Sequence, residues 1–210
     1  LNLIADSPLT FGDQFTLNTL YSTERQWFGN VGYSLPLGYS GLRAQAGYAH
    51  TYYALGKDFS ALNNTGTADI ASLGLSYPLI RSQKTNLSLI ATYQHKRLED
   101  RQGSVGTQGS KSSQVLPLAL QFDHRDDFGG GGVSYGAFTI AQGNLSLDAT
   151  LEAVDSSTAR KSGSFRKLSL DMARVQATPM QNLTVYGRVA AQRTNKNLDS
   201  SEYFGLGGVN

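Results

Sequence analysis

Leu116-Pro117-Leu118-Ala119-Leu120-Gln121-Phe122-Asp123-His124-Arg125 changes character at every step. Leu116, Leu118, Leu120 and Phe122 occupy one phase; Gln121, Asp123 and Arg125 occupy the other. In an extended chain, successive side chains point to opposite faces, so this period of two predicts a strand with one apolar and one polar face.

The same pattern recurs on both sides. After a short opening stretch, Leu1 to Ala5, the alternation predicts nine full strands over 11–21, 27–35, 41–53, 67–77, 85–97, 111–125, 131–142, 164–177 and 182–194. In 85–97, Leu87, Leu89, Ala91 and Tyr93 oppose Ser88, Thr92, Gln94 and Lys96. In 164–177, Leu168, Leu170 and Met172 oppose Lys167, Ser169 and Asp171. In 182–194, Leu183, Val185, Val189 and Ala191 oppose Thr184, Tyr186, Arg188 and Gln192. Strand 131–142 leaves two phases open, Val133, Tyr135 and Ala137 against Phe138 and Ile140. Helical periodicity is nearly absent.

The connections come in two kinds. Asp6–Thr10, Pro36–Ser40, Pro78–Lys84, Asp126–Gly130 and Thr178–Gln181 are compact; Ala54–Gly66, Leu98–Ser110 and Gly143–Gly163 are longer and polar, with Ser22–Gln26 a short exception. Short turns at one end and long loops at the other are the layout of an outer-membrane β-barrel. A strand of about 11 residues, tilted by about 40°, covers an apolar band about 25 Å tall. Tyr21, Trp27, Tyr33, Tyr39, Tyr52, Tyr53 and Tyr77 gather near strand ends, at headgroup level. A soluble β-sandwich also alternates, but with shorter strands of about 5–6 residues. Here the second face is Ser, Thr, Gln and Gly with a few charges, which reads as a wet lumen.

Composition agrees. Charged residues make up 16% of the 210 residues, with 23 Gly, 11 Tyr, 5 Pro and no Cys. The net charge of +2 gives no footprint for nucleic acid. Mean hydropathy is slightly negative, as suits a barrel in which every second strand residue faces lipid. No apolar run approaches the roughly 18 residues of a transmembrane helix. The chain opens on Leu1 and closes on Asn210 within an expected loop, and is read as a piece of a longer protein.

Asn197-Leu198-Asp199-Ser200-Ser201-Glu202-Tyr203-Phe204-Gly205-Leu206-Gly207-Gly208 resembles the segment that precedes the conserved loop of two-partner-secretion transporters, the ShlB/FhaC/HecB haemolysin secretion and activation family of the Omp85 superfamily. Pro8-Leu9-Thr10-Phe11-Gly12-Asp13-Gln14, Tyr33-Ser34-Leu35-Pro36-Leu37-Gly38-Tyr39, Arg125-Asp126-Asp127 with its Gly run, and Gly163-Ser164-Phe165-Arg166-Lys167-Leu168 resemble other family segments, in order. The resemblance implies an all-β fold: an antiparallel transmembrane β-barrel of roughly sixteen strands, of which residues 1–210 are a part. It implies a monomeric pore in the bacterial outer membrane that exports an unfolded partner exoprotein of haemolysin or adhesin type. Periplasmic POTRA domains, an Arg-bearing tip of the sixth loop and the last strands lie outside this sequence. Leu206, Gly207 and Gly208 map to the root of that loop. A passive porin-like channel, a barrel-assembly relative of the same superfamily and a soluble β-rich adhesin are the competing readings.

No enzyme chemistry, cofactor or metal is expected. His124-Arg125-Asp126 matches the opening of a kinase catalytic loop but lacks its nucleotide loop and following Asn. Gly129–Gly132 lacks the Lys-Ser/Thr and the helix of a phosphate cradle. His50, His95 and His124 have no metal-ligand spacing, and Asp148, Glu152 and Asp155 fit no EF-hand; a solvated outer loop is expected there. Arg43, Asp123, Arg125, Lys167, Asp171 and Arg188 share the polar phase of their strands and are the candidate lumen-facing charges. Two readings stay open for them: a hydrated wall along which a chain slides, or cross-strand pairs that keep the interior polar.

Overall fold

The computed structural model describes residues 1–22, 26–54, 64–103, 107–180 and 183–203. They form one antiparallel sheet of ten strands in sequence order: β1 Asn2–Asp6, β2 Gln14–Ser22, β3 Gln26–Pro36, β4 Arg43–Ala54, β5 Asn64–Arg81, β6 Thr85–Gln102, β7 Thr107–Asp126, β8 Gly132–Leu147, β9 Gly163–Ala177 and β10 Thr184–Thr194. Each strand pairs with the next through a short or long connection, so the sheet is a simple meander with local hairpin topology.

The opening stretch is itself a strand, paired with β2 from Asn2↔Asn18 to Asp6↔Gln14. The larger departure from the sequence reading lies at the long-loop end. β5, β6 and β7 run for 18, 18 and 20 residues, so the described residues of the expected loops, Ala54 and Asn64–Gly66 in one, Leu98–Gln102 and Thr107–Ser110 in the other, belong to the hydrogen-bonded ladder. Register continues unbroken there, from Leu98↔Lys111 out to Gln102↔Thr107. In these extensions the apolar phase gives way to charged residues such as Glu99 and Arg101, and backbone pairing carries the strand onward.

Register fixes the faces. Leu73 on β5, Leu118 on β7, Ile140 on β8, Leu168 on β9 and Ala191 on β10 share one face, through the pairs Leu118↔Ile140, Ile140↔Leu168 and the neighbouring Ala191↔Leu170. That apolar face is open: Leu73 is 64%, Leu118 45%, Ile140 49% and Val189 58% exposed. No second sheet covers it among the described residues, which excludes the sandwich. The buried strand side chains Ser113, Val115, Ala141, Leu145, Phe165 and Ala173 all lie on the opposite, polar face. The open phases of β8 resolve the same way. Phe138 stands opposite Leu120 and Leu170 and faces out, whereas Tyr135 stands opposite Asp123 and Ala173 on the polar side.

Two local breaks have plain causes. The β6–β7 ladder lapses at Thr92 and Tyr93, beside Leu116 and Pro117, and resumes with no shift of register; proline has no N–H to donate. β5 carries a bulge between Pro78 and Ile80.

The compact turns are built from their own residues. Asp13, buried, accepts from the Leu9 and Thr10 amides at 3.3 and 3.0 Å and from the Tyr33 hydroxyl, closing the β1–β2 turn. After β7, a 3-10 turn at Phe128–Gly130 is followed by Gly131, and Gly129, Gly130 and Gly131 have φ of 58°, 108° and 98°. Only glycine takes that run without strain. Gln176 Nε2 donates to the Phe128 and Gly131 carbonyls at 2.7 and 3.1 Å, so the turn presents acceptors inward and has nothing to offer a phosphate.

Between β8 and β9 the expected loop contains a helix, α1, Ala149–Ser157. Asp148 caps it, its carboxylate accepting from the Leu151 amide at 2.9 Å and from the Ser110 amide at 2.5 Å. These bonds hold the Asp148 carboxyl below the usual carboxylate range. Asp155, buried, accepts from the Ser162 amide at 2.9 Å, which lowers its pKa likewise. Asp148 and Asp155 are thus turn-forming acceptors, and among the described residues no group of three His, Cys, Asp or Glu could hold a metal ion.

Candidate functional site: the polar face and the segment that returns to it

The six charges singled out in the sequence lie on one face. Arg43 is joined to the others through Arg43↔Ser76, Ser76↔Ile90, Ile90↔Ala119, Ala119↔Thr139 and Thr139↔Ser169. Asp123 and Arg125 share the phase of Ala119, Lys167 and Asp171 share that of Ser169, and Arg188 pairs with Ala173 in the same phase. Most of them are engaged. Arg43 donates to the Gly12 carbonyl at 3.1 Å and to Ser34 Oγ at 2.9 Å, tying β4 to the β1–β2 turn. Asp123 accepts from Asn86 Nδ2 at 3.0 Å across β6–β7. Arg188 and Asp171 form a two-bond pair across β9–β10, at 2.8 and 2.5 Å. Arg125 is exposed at the compact-turn end of β7.

Lys167 leads to a feature that strand periodicity does not reveal. Beyond β10 the chain turns back over the polar face. Asn195 Oδ1 accepts from the Arg166 amide at 2.8 Å, and Lys196 Nζ donates to the Ser162 carbonyl. Leu198, 5% exposed, packs into a small apolar cluster with Val115, Ala141, Leu145 and Phe165, flanked by Leu147. Asp199 caps a short 3-10 turn at Ser200–Glu202 and pairs with Lys111 of β7 at 2.9 Å. Glu202 is 2% exposed. Its two carboxylate oxygens are taken by Lys96 of β6 and Lys167 of β9, each at 2.6 Å, and Ser113 Oγ of β7 lies 3.3 Å from Oε1.

Charge is balanced within this assembly. Burial pushes the Asp199 carboxyl up, but the Ser201 amide and hydroxyl and the Lys111 ammonium outweigh it and hold it at about 2. Burial likewise opposes the charge of Glu202, and the Lys167 and Lys96 ammonium groups overcome it, so its carboxyl also sits below the usual range. The arrangement binds a segment of backbone to a wall.

Among the expected site residues, the structure therefore gathers Lys167 with Lys96, Lys111, Ser113, Asp199 and Glu202, and joins Asp171 to Arg188. Arg43, Asp123 and Arg125 stand apart near the compact turns. Leu206, Gly207 and Gly208 lie outside the described residues. His50 pairs with Asp69 at 2.6 Å and stacks on Trp27, and His124 bonds Thr85, both at the apolar-phase positions of their strands.

Comparison with known proteins bears on this fold. The model of the haemolysin secretion/activation protein ShlB/FhaC/HecB family matches residues 1–210. The chain belongs to that family. Among solved structures it is similar to CdiB from Escherichia coli, with a TM-score of 0.77 and 20% identity. The likeness covers 99% of this chain and 39% of that one, so this family member spans about two fifths of the length of the protein it matches. At that identity the match bears on the fold: the sheet is a run of consecutive β-barrel strands. No curated protein matches the chain.

Proposed function

We propose that residues 1–210 are part of the transmembrane wall of an outer-membrane pore that exports a partner exoprotein by two-partner secretion. The family match across every residue is the observation that carries this reading. The asymmetry of the sheet supports it: the apolar face meets hydrocarbon, and Arg43, Asp123, Arg125, Lys167, Asp171 and Arg188 line a hydrated lumen. In this reading POTRA domains and the remaining strands complete a monomeric barrel, and Leu206, Gly207 and Gly208 lead into its sixth loop.

The work done is transport without covalent chemistry. A wall of Ser, Thr, Gln and paired charges offers a passing unfolded chain neither a deep apolar trap nor a lone charge. Deleting the gene should leave the partner exoprotein in the periplasm, and the full-length protein supplied in trans should restore it to the cell surface. Surface delivery at the parental level in the deletion strain would rule the reading out.

A further inference from the structure

The polar face carries a clamp that wall-building alone does not require. Lys96, Lys111 and Lys167 come from three different strands and point at one place. Their side chains are only 14%, 13% and 18% exposed. The anions that neutralise them do not come from the sheet: Asp199 and Glu202 both belong to the segment that follows β10. A permanently lined pore would place such counter-charges on neighbouring strands, as it does for Arg188 and Asp171. Here the charge balance of the wall is completed by a separable piece of chain.

We propose that Glu202 is a charge latch: seated between Lys96 and Lys167, it holds the segment after β10 against the wall, and its neutralisation frees that segment. That the wall is a pore lining rests on the function proposed above; the latch itself is read without reference to export. Removing one partner from a nearly buried ion pair leaves the other uncompensated, so the loss of Glu202 strands two lysines at once. The segment then keeps Leu198 in its five-residue cluster, the Asp199–Lys111 pair and the bonds of Asn195 and Lys196, but loses its two contacts to β6 and β9 beyond Asp199.

The chain has no cysteine, which permits a direct test in the full-length protein, any cysteine outside these residues first being replaced. Ser113 is 0% exposed beneath Glu202, and Ala141 is 0% exposed beneath Leu198's cluster. Ser113→Cys, and separately Ala141→Cys, report departure of the segment through their rate of modification by a small water-soluble maleimide in detergent micelles. Each should label slowly in the parent. Glu202→Gln should raise the rate at least tenfold, and Lys96→Gln with Lys167→Gln should do the same. Retention of heat-resistant, compact mobility on cold electrophoresis confirms that the barrel stays folded. If Glu202→Gln does not fold, the lysine pair variant decides alone. Parental labelling rates in folded variants would overturn the latch, whatever the export assay shows; rapid labelling together with parental surface delivery in the deletion strain would uphold the latch and count against the transport reading only.

Discussion

Arg188 and Asp171 meet across the β9–β10 pairing as a two-bond guanidinium–carboxylate pair, offset diagonally by two residues from the direct partners Ala173 and Ala190. Their side chains are 54% and 45% exposed. Geometry of this kind is favourable, but exposure screens it, so a double-mutant cycle with Arg188→Ala and Asp171→Ala should give a coupling of about 0.5–1 kcal/mol. Urea unfolding of the full-length barrel in lipid vesicles measures it. A coupling of several kcal/mol would mean that this face is far drier than a hydrated lumen.

Adjacent residues on β8 test the assignment of faces. Ile140 lies on the apolar face, 49% exposed, and Thr139 lies on the polar face. Ile140→Arg should cost about 2–4 kcal/mol in lipid vesicles, as arginine does near the bilayer midplane, whereas Thr139→Arg should cost under about 1. Equal costs, or the reverse order, would place the membrane on the wrong side of the sheet.

Close approach of β9 to β8 makes one glycine indispensable. A Cβ at Gly136 would collide with the Asp171 carbonyl and come within 2.8 Å of Met172 Cα, both backbone groups. Gly187 on β10 would meet nothing within 4 Å. Gly136→Ala should therefore destabilise by about 1–3 kcal/mol, and Gly187→Ala by almost nothing, in the same unfolding experiment.

Acid should release the segment after β10 only at the extreme. The folded pKa of Asp199, at about 2, lies below its ordinary 3.8, and that of Glu202 is lowered from 4.5. A depressed carboxyl contributes stability that is complete above the unfolded pKa and fades as pH falls through the folded one. The groups that face them are Lys96, Lys111 and Lys167. Pepsin should thus leave Asn195–Tyr203 intact at about pH 4 and cut it near pH 2. Cleavage already at the higher pH would show that the two carboxylates are not held as described.

Legibility of the fold followed what is local. Alternation over Leu116–Phe122 and Leu168–Met172 marks both the strands and their faces, because the pleat turns a two-residue period directly into two surfaces. The phase of β8 was not legible from its own residues, since Tyr135 and Phe138 carry similar apolar weight; the neighbours Leu120 and Leu170 decide it. The long extensions of β5–β7 escape because Glu99 and Arg101 stand where the apolar phase would continue, while Gly66 and Gly109 in the other phase lie against Tyr53 and Leu151, contacts that no local pattern announces. Helix α1 escapes because nine residues with only a weak apolar stripe resemble a polar loop until Asp148 is seen capping them.

The site was legible by halves. Lys167 and Asp171 stand out as charges in a polar phase. Glu202 does not, for its partners Lys96 and Lys167 lie 106 and 35 residues away, and no periodicity links positions so distant. A buried carboxylate among serines, in a stretch without alternation, looks like any loop acid until the sheet brings two lysines beneath it.

The length of β5, β6 and β7 carries a consequence for the export pore proposed above. Eighteen to twenty residues at about 3.4 Å, tilted by about 40°, rise roughly 45–50 Å, nearly twice an apolar band of about 25 Å. On the upper stretch the outward positions are Arg97, Glu99 and Arg101 in place of leucine. In that proposed pore, this side of the wall would stand above the bilayer as a chimney, and a polypeptide leaving it would begin to fold clear of the membrane surface.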